Sequence, residues 1–112
     1  MAIADGSAPG VQVSRFPQGA DLGLRWHPSG DHIICVTGNV VTALCVEEGP
    51  RFGETRALSG SGGGPRKNPV VSPDGRLVAW NQPVPTPGAD GKPVKTYSGS
   101  DILQIFLADF GG

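Results

Sequence analysis

The side chains that could do chemistry in this chain are few, and they lie apart in the sequence. Its two histidines, His27 and His32, have no cysteine, histidine or carboxylate at the spacing of a metal site. Its two cysteines, Cys35 and Cys45, lie in apolar segments, which favours small buried hydrophobic residues over nucleophiles. No serine–histidine–acid set and no pair of carboxylates has a recognisable arrangement. The sequence therefore predicts no catalytic residue, no metal site and no cofactor.

Basic side chains in two segments rich in glycine and proline are the remaining candidates for contact with a ligand or partner. Arg66 and Lys67 lie in the segment Gly60–Asn68, where glycines could let an anion approach. That segment lacks the Gly-Lys-Ser/Thr ending and the helix that follow in a phosphate-binding loop, so we interpret it as a flexible linker. The second segment, Gln82–Ser100, contains three further candidate contacts, which are Lys92, Lys95 and Tyr97.

Composition restricts the classes of partner. The chain has 112 residues, with 9 Lys and Arg against 10 Asp and Glu, and a formal charge of −1. This balance predicts no binding to nucleic acid or to an anionic membrane. No apolar run approaches the roughly 20 residues of a membrane-spanning helix. The N-terminus has neither the basic nor the apolar region of a secretory signal, which favours a cytoplasmic location.

Glycine and proline divide the chain into short apolar segments. The 18 Gly and 11 Pro are absent from six windows that hold most of the aliphatic residues: 11–16, 31–37, 39–48, 54–59, 76–81 and 101–110. Short apolar segments between such clusters are typical of β-strands, and no window has the apolar spacing of a helix. We predict an all-β chain with a flexible tail at residues 1–10.

One hairpin can be predicted in detail around Gly38 and Asn39, two residues that tolerate positive φ in a type I′ or II′ turn. This turn pairs Cys35 with Thr42 and places Cys45 opposite His32. The two thiols then lie on opposite faces of the hairpin, which argues against a disulfide. Both faces are apolar, so we expect the sheet to be covered on both sides.

The chain contains an internal repeat. Residues 24–36 align with residues 69–81, and Gly10–Phe16 upstream aligns with Gly53–Ser59. In each copy a strand enters a turn in which proline fixes φ, Ser or Asp bonds the backbone, and glycine supplies positive φ. The turn residues are Pro28, Ser29, Gly30, Pro73, Asp74 and Gly75.

A repeat length near 45 residues with four short strands is typical of β-propeller blades. We therefore predict two four-stranded antiparallel blades at about 11–53 and 54–110, which form a partial propeller or one completed by oligomerisation. In the second blade a 19-residue insertion, 82–100, replaces the tight turn, and its Pro-x-Pro-x-Pro composition suggests an extended segment of polyproline type. We interpret this insertion as a mobile surface loop, with ligand or partner contact as the alternative. Trp26 and Trp80 are interpreted as packing between blades.

The repeated units resemble the blades of TolB-like propellers, a group related to WD-repeat proteins. Ser72-Pro-Asp-Gly75 matches the motif W-S-P-D-G-x-x-I-A-F, and His27-Pro-Ser-Gly30 is a degenerate copy. Leu103–Asp109 is similar to the strand I-Y-V-M-D of that group, and Arg56–Ser59 to its closing R-x-L-T. The order of the two units is similar to the C-terminal end of an uncharacterised bacterial TolB-like family that is loosely likened to oligogalacturonate lyases.

The resemblance implies a ring of six or more blades, of which this chain supplies two. Its partners would be the missing blades of a longer parent chain or copies of itself. The leading function is a non-catalytic module that binds a protein or carbohydrate ligand. One alternative is a C-terminal fragment of an oligogalacturonate-lyase-like enzyme, which two isolated histidines disfavour. Another is a two-blade sugar-binding protein that trimerises into a six-bladed ring. A fragment of an exported relative would be periplasmic.

Overall fold

The computed structural model describes residues 10–62 and 64–111, and these contain seven β-strands and no helix. The predicted all-β class is confirmed for this part of the chain, whereas the predicted tail lies, apart from Gly10, outside the described residues. The strands are β1 (Arg25–Trp26), β2 (His32–Thr37), β3 (Val40–Cys45), β4 (Thr55–Ala57), β5 (Lys67–Val71), β6 (Leu77–Pro83) and β7 (Leu103–Asp109). They form two antiparallel sheets, sheet I in the order β1-β2-β3-β4 and sheet II in the order β5-β6-β7.

The β2–β3 hairpin has the predicted register. Cys35 pairs with Thr42 and His32 with Cys45, and both cysteines are free and buried. Gly38 and Asn39 have φ of 55° and 65°. Two consecutive positive φ values define a type I′ turn, whose twist matches that of the strands it joins.

The internal repeat is visible in the strand register. Arg25 pairs with Ile34 in sheet I, and Val70 pairs with Ala79 in sheet II, so both partners are displaced by 45 residues. The turns repeat as well. The backbone N–H of His27 donates to the carbonyl of His32 at 2.9 Å, and that of Ser72 to the carbonyl of Leu77 at 2.9 Å. The same backbone unit is therefore built twice.

The second sheet departs from the prediction of two four-stranded units. Residues 11–16 were expected to form a strand, but they form none. The segment lines a groove on the outer side of sheet I with Leu44, Phe52 and Thr55. Its repeat equivalent, β4, pairs with β3. Sheet II thus has three strands, and residues 12–16 lie beside sheet I in the described structure.

The two sheets pack face to face. The inner face of sheet I carries Ile34, Val36, Val41 and Ala43, and it meets the inner face of sheet II around Val78 and Trp80. Partly buried side chains surround this core: Leu58, Val71, Phe106, Ala108 and Phe110. Full burial of one such aliphatic side chain contributes about 1.5–3 kcal/mol to the free energy of unfolding. The hairpin is buried on both faces, as its two apolar faces predict.

The insertion at 82–100 contains isolated antiparallel bridges where the composition suggested an extended polyproline segment. Val84 N–H donates to the Ile102 carbonyl at 3.1 Å, and Val94 N–H donates to the Thr86 carbonyl at 2.7 Å. The prolines at 83, 85 and 87 alternate with the residues that carry these bonds. Successive residues of an extended segment direct their backbone N–H groups to opposite edges. The prolines therefore occupy the positions whose N–H would point away from the paired edge.

The turns of the two repeats differ in what they contact. Gly30 and Gly75 are equivalent, with φ of 82° and 76°. A Cβ on Gly30 would have open space, whereas one on Gly75 would lie 2.7 Å from Cε1 of His27. The His27 ring also bonds the Gly75 carbonyl through Nε2 at 2.8 Å. This turn therefore joins sheet II to sheet I.

Gly75→Ala and Gly30→Ala are a matched pair that tests this contact. Each substitution places an alanine in the left-handed region, which costs about 1–2 kcal/mol. Gly75→Ala must also displace the His27 ring, so it should lower the free energy of unfolding by more than Gly30→Ala does. Urea denaturation of both variants measures the difference, and equal losses would contradict a packed junction at this turn.

Candidate functional site

Arg66 and Lys67 line the same groove. Its other lining residues are Asp21, Leu22 and Asn68. The two side chains nevertheless have different surroundings. Arg66 is buried, and its guanidinium donates from Nη1 to the Asn39 carbonyl at 2.9 Å and from Nη2 to the Gly62 carbonyl at 2.6 Å. It ties the linker to the turn of the hairpin. Lys67 is the exposed first residue of β5.

The candidates in the insertion are not part of the lining of that groove. Lys95 forms an ion pair with Asp101, and Tyr97 is fully exposed. Lys92 is exposed, and its backbone N–H donates to Oδ1 of Asp90 at 3.0 Å. The structure therefore places Lys92, Lys95 and Tyr97 on a surface loop and does not join them to Arg66 and Lys67.

A polar cluster that the sequence did not reveal surrounds the first turn. His27 Nδ1 lies 2.7 Å from Oγ of Ser29, and His32 Nδ1 lies 2.7 Å from Oδ1 of Asp31. The hydroxyl of Ser29 donates to the same carboxylate. The signal that could have found this cluster is the alternation of polar residues at positions 27, 29 and 31 around a turn, which brings their side chains to one side.

The cluster contains a serine, histidines and a carboxylate, and within it His27 has a structural role. His27 Nε2 meets the Gly75 carbonyl, which only accepts hydrogen bonds, so Nε2 is the donor. Nδ1 accepts the backbone N–H of Ser29 at 3.1 Å. Both ring nitrogens are thus engaged, and the Phe110 ring lies over His27 with 4.1 Å between the ring centroids. The imidazole has no nitrogen free to take a proton from a nucleophile.

Metal and thiol chemistry find no support in the described residues. Within residues 10–62 and 64–111, no group of three or more His, Cys, Asp or Glu side chains is arranged to hold a metal ion. Burial raises the pKa of the Cys35 thiol, which disfavours the reactive thiolate. His27 and Arg66 make structural hydrogen bonds and Cys35 is buried, so the exposed surfaces are the next candidate sites.

The exposed face of sheet II is the first such surface. Ile105 and Leu107 of β7 are 75% and 65% exposed. Their repeat equivalents in β3, Val41 and Ala43, are 0% and 1% exposed because sheet II covers them. Further apolar side chains of sheet II are also exposed: Val70, Leu77 and Leu103. The same position in the repeat is core in one sheet and surface in the other.

The outer face of sheet I has the complementary pattern. Leu24 and Trp26 are 53% and 63% exposed. Their equivalents in sheet II are Pro69, which is fully buried, and Val71, which packs against the core between the sheets. Trp80 is buried as predicted, but the prediction that Trp26 packs between sheets is wrong within this chain. The reason is that, in the part of the chain that the structure describes, no sheet covers the face on which Trp26 lies.

The edge of sheet II is a third open element. β7 is the last strand in the order β5-β6-β7, so in the described structure one side of it is unpaired. In sheet I the equivalent strand, β3, pairs with β4. A seven-residue edge strand with exposed aliphatic side chains is a template for pairing with another strand.

Comparison with protein-family models, with curated proteins and with solved structures finds no match for this chain. Across the described residues no helix is long and apolar enough to cross a membrane. The exposed apolar faces of the two sheets and the open edge of β7 are therefore the candidate functional surfaces.

The polar cluster leads to a test by titration. The Ser29 hydroxyl, and after it the His32 imidazole, hold the pKa of Asp31 below its ordinary value of 3.8. A carboxyl whose pKa is lower in the folded than in the unfolded protein stabilises the fold at pH values above its unfolded-state pKa. This contribution to the free energy of unfolding is lost as pH falls through the folded-state pKa. Ser29→Ala removes the largest cause, so it should raise the pKa of Asp31 towards 3.8, as measured by carboxyl-carbon NMR.

The same experiment has a stability arm. Asp31→Asn should lower the urea midpoint at pH 7, where the carboxylate is ionised, and its effect should shrink as pH falls through the lowered folded-state pKa of Asp31, because the wild-type carboxyl then becomes neutral as well. An Asp31 pKa that does not move in Ser29→Ala would show that the hydroxyl does not stabilise the carboxylate.

Proposed function

We propose that this chain is a non-catalytic interaction module of the TolB-like β-propeller type, in which sheets I and II are consecutive blades. Its exposed sheet faces bind further blades, which belong to a longer parent chain or to copies of itself. The observation that carries the proposal is the contrast at equivalent positions of the repeat. Val41 is buried by a neighbouring sheet, whereas Ile105 at the same position is 75% exposed.

The chain itself contains one example of the proposed contact. The inner face of sheet I accepts Val78 and Trp80 of sheet II, and both sheets have the same register. A third sheet placed on sheet II in the same way would cover Ile105 and Leu107. Several exposed aliphatic side chains on one face of a sheet are typical of interaction sites in soluble proteins.

The rival enzymatic interpretation has less support. An oligogalacturonate-lyase-like site requires clustered histidines with free nitrogens, and His27 has both ring nitrogens in hydrogen bonds to backbone and turn groups. Two of the candidate cations are also engaged within the chain, the buried Arg66 with backbone carbonyls and Lys95 with Asp101. These contacts disfavour a catalytic role for His27, Arg66 and Lys95.

Site-specific photo-cross-linking tests the proposal. With p-benzoylphenylalanine in place of Ile105, we expect an adduct whose partner peptide is a strand from the apolar face of another blade. The same probe in place of Tyr97 serves as control, because that side chain is fully exposed but lies on the insertion. The adduct at position 105 should weaken when Leu107→Asp places a charge in the buried contact.

Two results would contradict the proposal. One is the absence of any adduct at position 105. The other is a set of adducts at 105 that equals the set at 97, since random collision and not docking would then explain both.

A further inference from the structure

We propose that residues 11–16 of one copy pair with the free edge of β7 in a second copy and complete sheet II as its fourth strand. The outer face of the donor's sheet I then covers Ile105 and Leu107 of the acceptor. This inference rests on the proposed function and identifies the bound partner as a second copy of this chain. The inference follows from the repeat, because both parts of the proposed contact already occur within one chain. The strand pairing corresponds to that of β3 with β4, and the face-to-face packing corresponds to that of sheet I with sheet II.

The register of the new strand can be read from sheet I. There β3 pairs with β4 so that Ala43 lies opposite Arg56. The ladder extends in both directions, with the Cys45 N–H donating to the Glu54 carbonyl at 2.8 Å and the Leu58 N–H donating to the Val41 carbonyl at 2.7 Å. The backbone groups of residues 54, 56 and 58 therefore face β3.

Transfer of this register to sheet II fixes the pairing. Leu107 is the equivalent of Ala43, since their partners Ala79 and Ile34 are 45 residues apart. Val13 is the equivalent of Arg56 in the alignment of Gly10–Phe16 with Gly53–Ser59. Val13 should thus lie opposite Leu107, with the backbone N–H groups of residues 11, 13 and 15 directed at β7.

The segment is free to make this change. Residues 11–16 contain no proline. Within the described chain, their side chains bond only nearby carbonyls, such as Gln12 Nε2 to the Ser14 carbonyl at 2.8 Å. Their one backbone–backbone hydrogen bond is accepted by the Phe16 carbonyl from Gly19, at 3.1 Å. The backbone N–H groups of the segment are not committed to a strand in the described structure.

The position of the segment explains why the acceptor is a second copy. Residues 12–17 line the groove beside Leu44 on the outer face of sheet I, while sheet II lies on the inner face. Sheet I thus separates the segment from β7 of its own chain. When the segment leaves, Leu44 is uncovered beside the already exposed Leu24 and Trp26, and the incoming sheet II of another copy can cover all three. Every copy is both donor and acceptor, so the contact is head to tail and closes into a ring when the rotation allows.

Two proline variants test the strand pairing. Val13→Pro removes an N–H that the register directs at β7, whereas Ser14→Pro removes one directed away, where an edge strand tolerates proline. Sedimentation equilibrium should show wild-type oligomers, an association constant at least about tenfold lower for Val13→Pro, and little change for Ser14→Pro. A monomeric wild-type protein at all concentrations, or equal effects of both prolines, would overturn the inference.

Disulfide trapping tests the partner directly. Opposed residues in a hydrogen-bonded antiparallel pair have Cα atoms about 5.5 Å apart, which suits a disulfide. Val13→Cys with Leu107→Cys should therefore give covalent multimers under mild oxidation, whereas Val13→Cys with Leu103→Cys, four residues out of register, should not. The native thiols are buried and provide a low background.

The outcomes separate this inference from the proposed function. A disulfide within one chain, or no disulfide, overturns exchange between copies. If position 105 still forms its photo-adduct with a different blade, the interaction module stands and only the identity of the partner is wrong. If neither the disulfide nor the adduct forms, both proposals fail.

Discussion

The contact between sheets I and II determines which side chains of this protein are buried and which are exposed. The β2–β3 hairpin is apolar on both faces, so it cannot leave either face in water without exposing side chains such as Ile34 and Val36. Sheet II covers the inner face, and residues 12–17 lie over the outer one. The His27–Gly75 hydrogen bond then fixes the turn end of one sheet against the other. Burial at a given position of the repeat therefore depends on whether a neighbouring sheet or segment covers that face.

This contact between sheet faces forms only once within the described chain. A stack of two equivalent sheets has one internal contact and two ends. At one end Ile105 and Leu107 are exposed, and at the other Leu24 and Trp26 are. Each of these has a repeat equivalent inside the stack that is buried or packed against the core. An arrangement that repeats the internal contact would remove both ends, which is why further blades are the natural occupants of these surfaces.

Local features of the fold could be predicted from sequence because local chemistry determines them. Gly38-Asn39 specifies a two-residue turn, and that turn fixes the pairing of Cys35 with Thr42. The repeat of Pro, Ser or Asp, and Gly predicts the two equivalent turns. Residues 11–16 have the composition of a strand, but pairing needs an accessible edge, and no local signal shows which edge is available. The prediction that Trp26 packs between sheets was wrong for the same reason. Its burial requires a second sheet on that face, and the described chain has none there. The hydrogen bond from His27 to the Gly75 carbonyl joins residues 48 apart in the sequence, and no local pattern encodes that contact.

Amide exchange at β7 measures whether other blades complete sheet II in solution. The N–H of Leu107 should face the open edge of sheet II, as that of its equivalent Ala43 faces β4. If other blades complete this sheet, the Leu107 amide in the wild-type protein will exchange with deuterium as slowly as the Ala43 amide, measured by NMR at concentrations where the protein is assembled. If Leu107 exchanges at the rate of an unprotected amide while Ala43 remains protected, the edge is open in solution, and the account of these surfaces as blade-binding sites is contradicted.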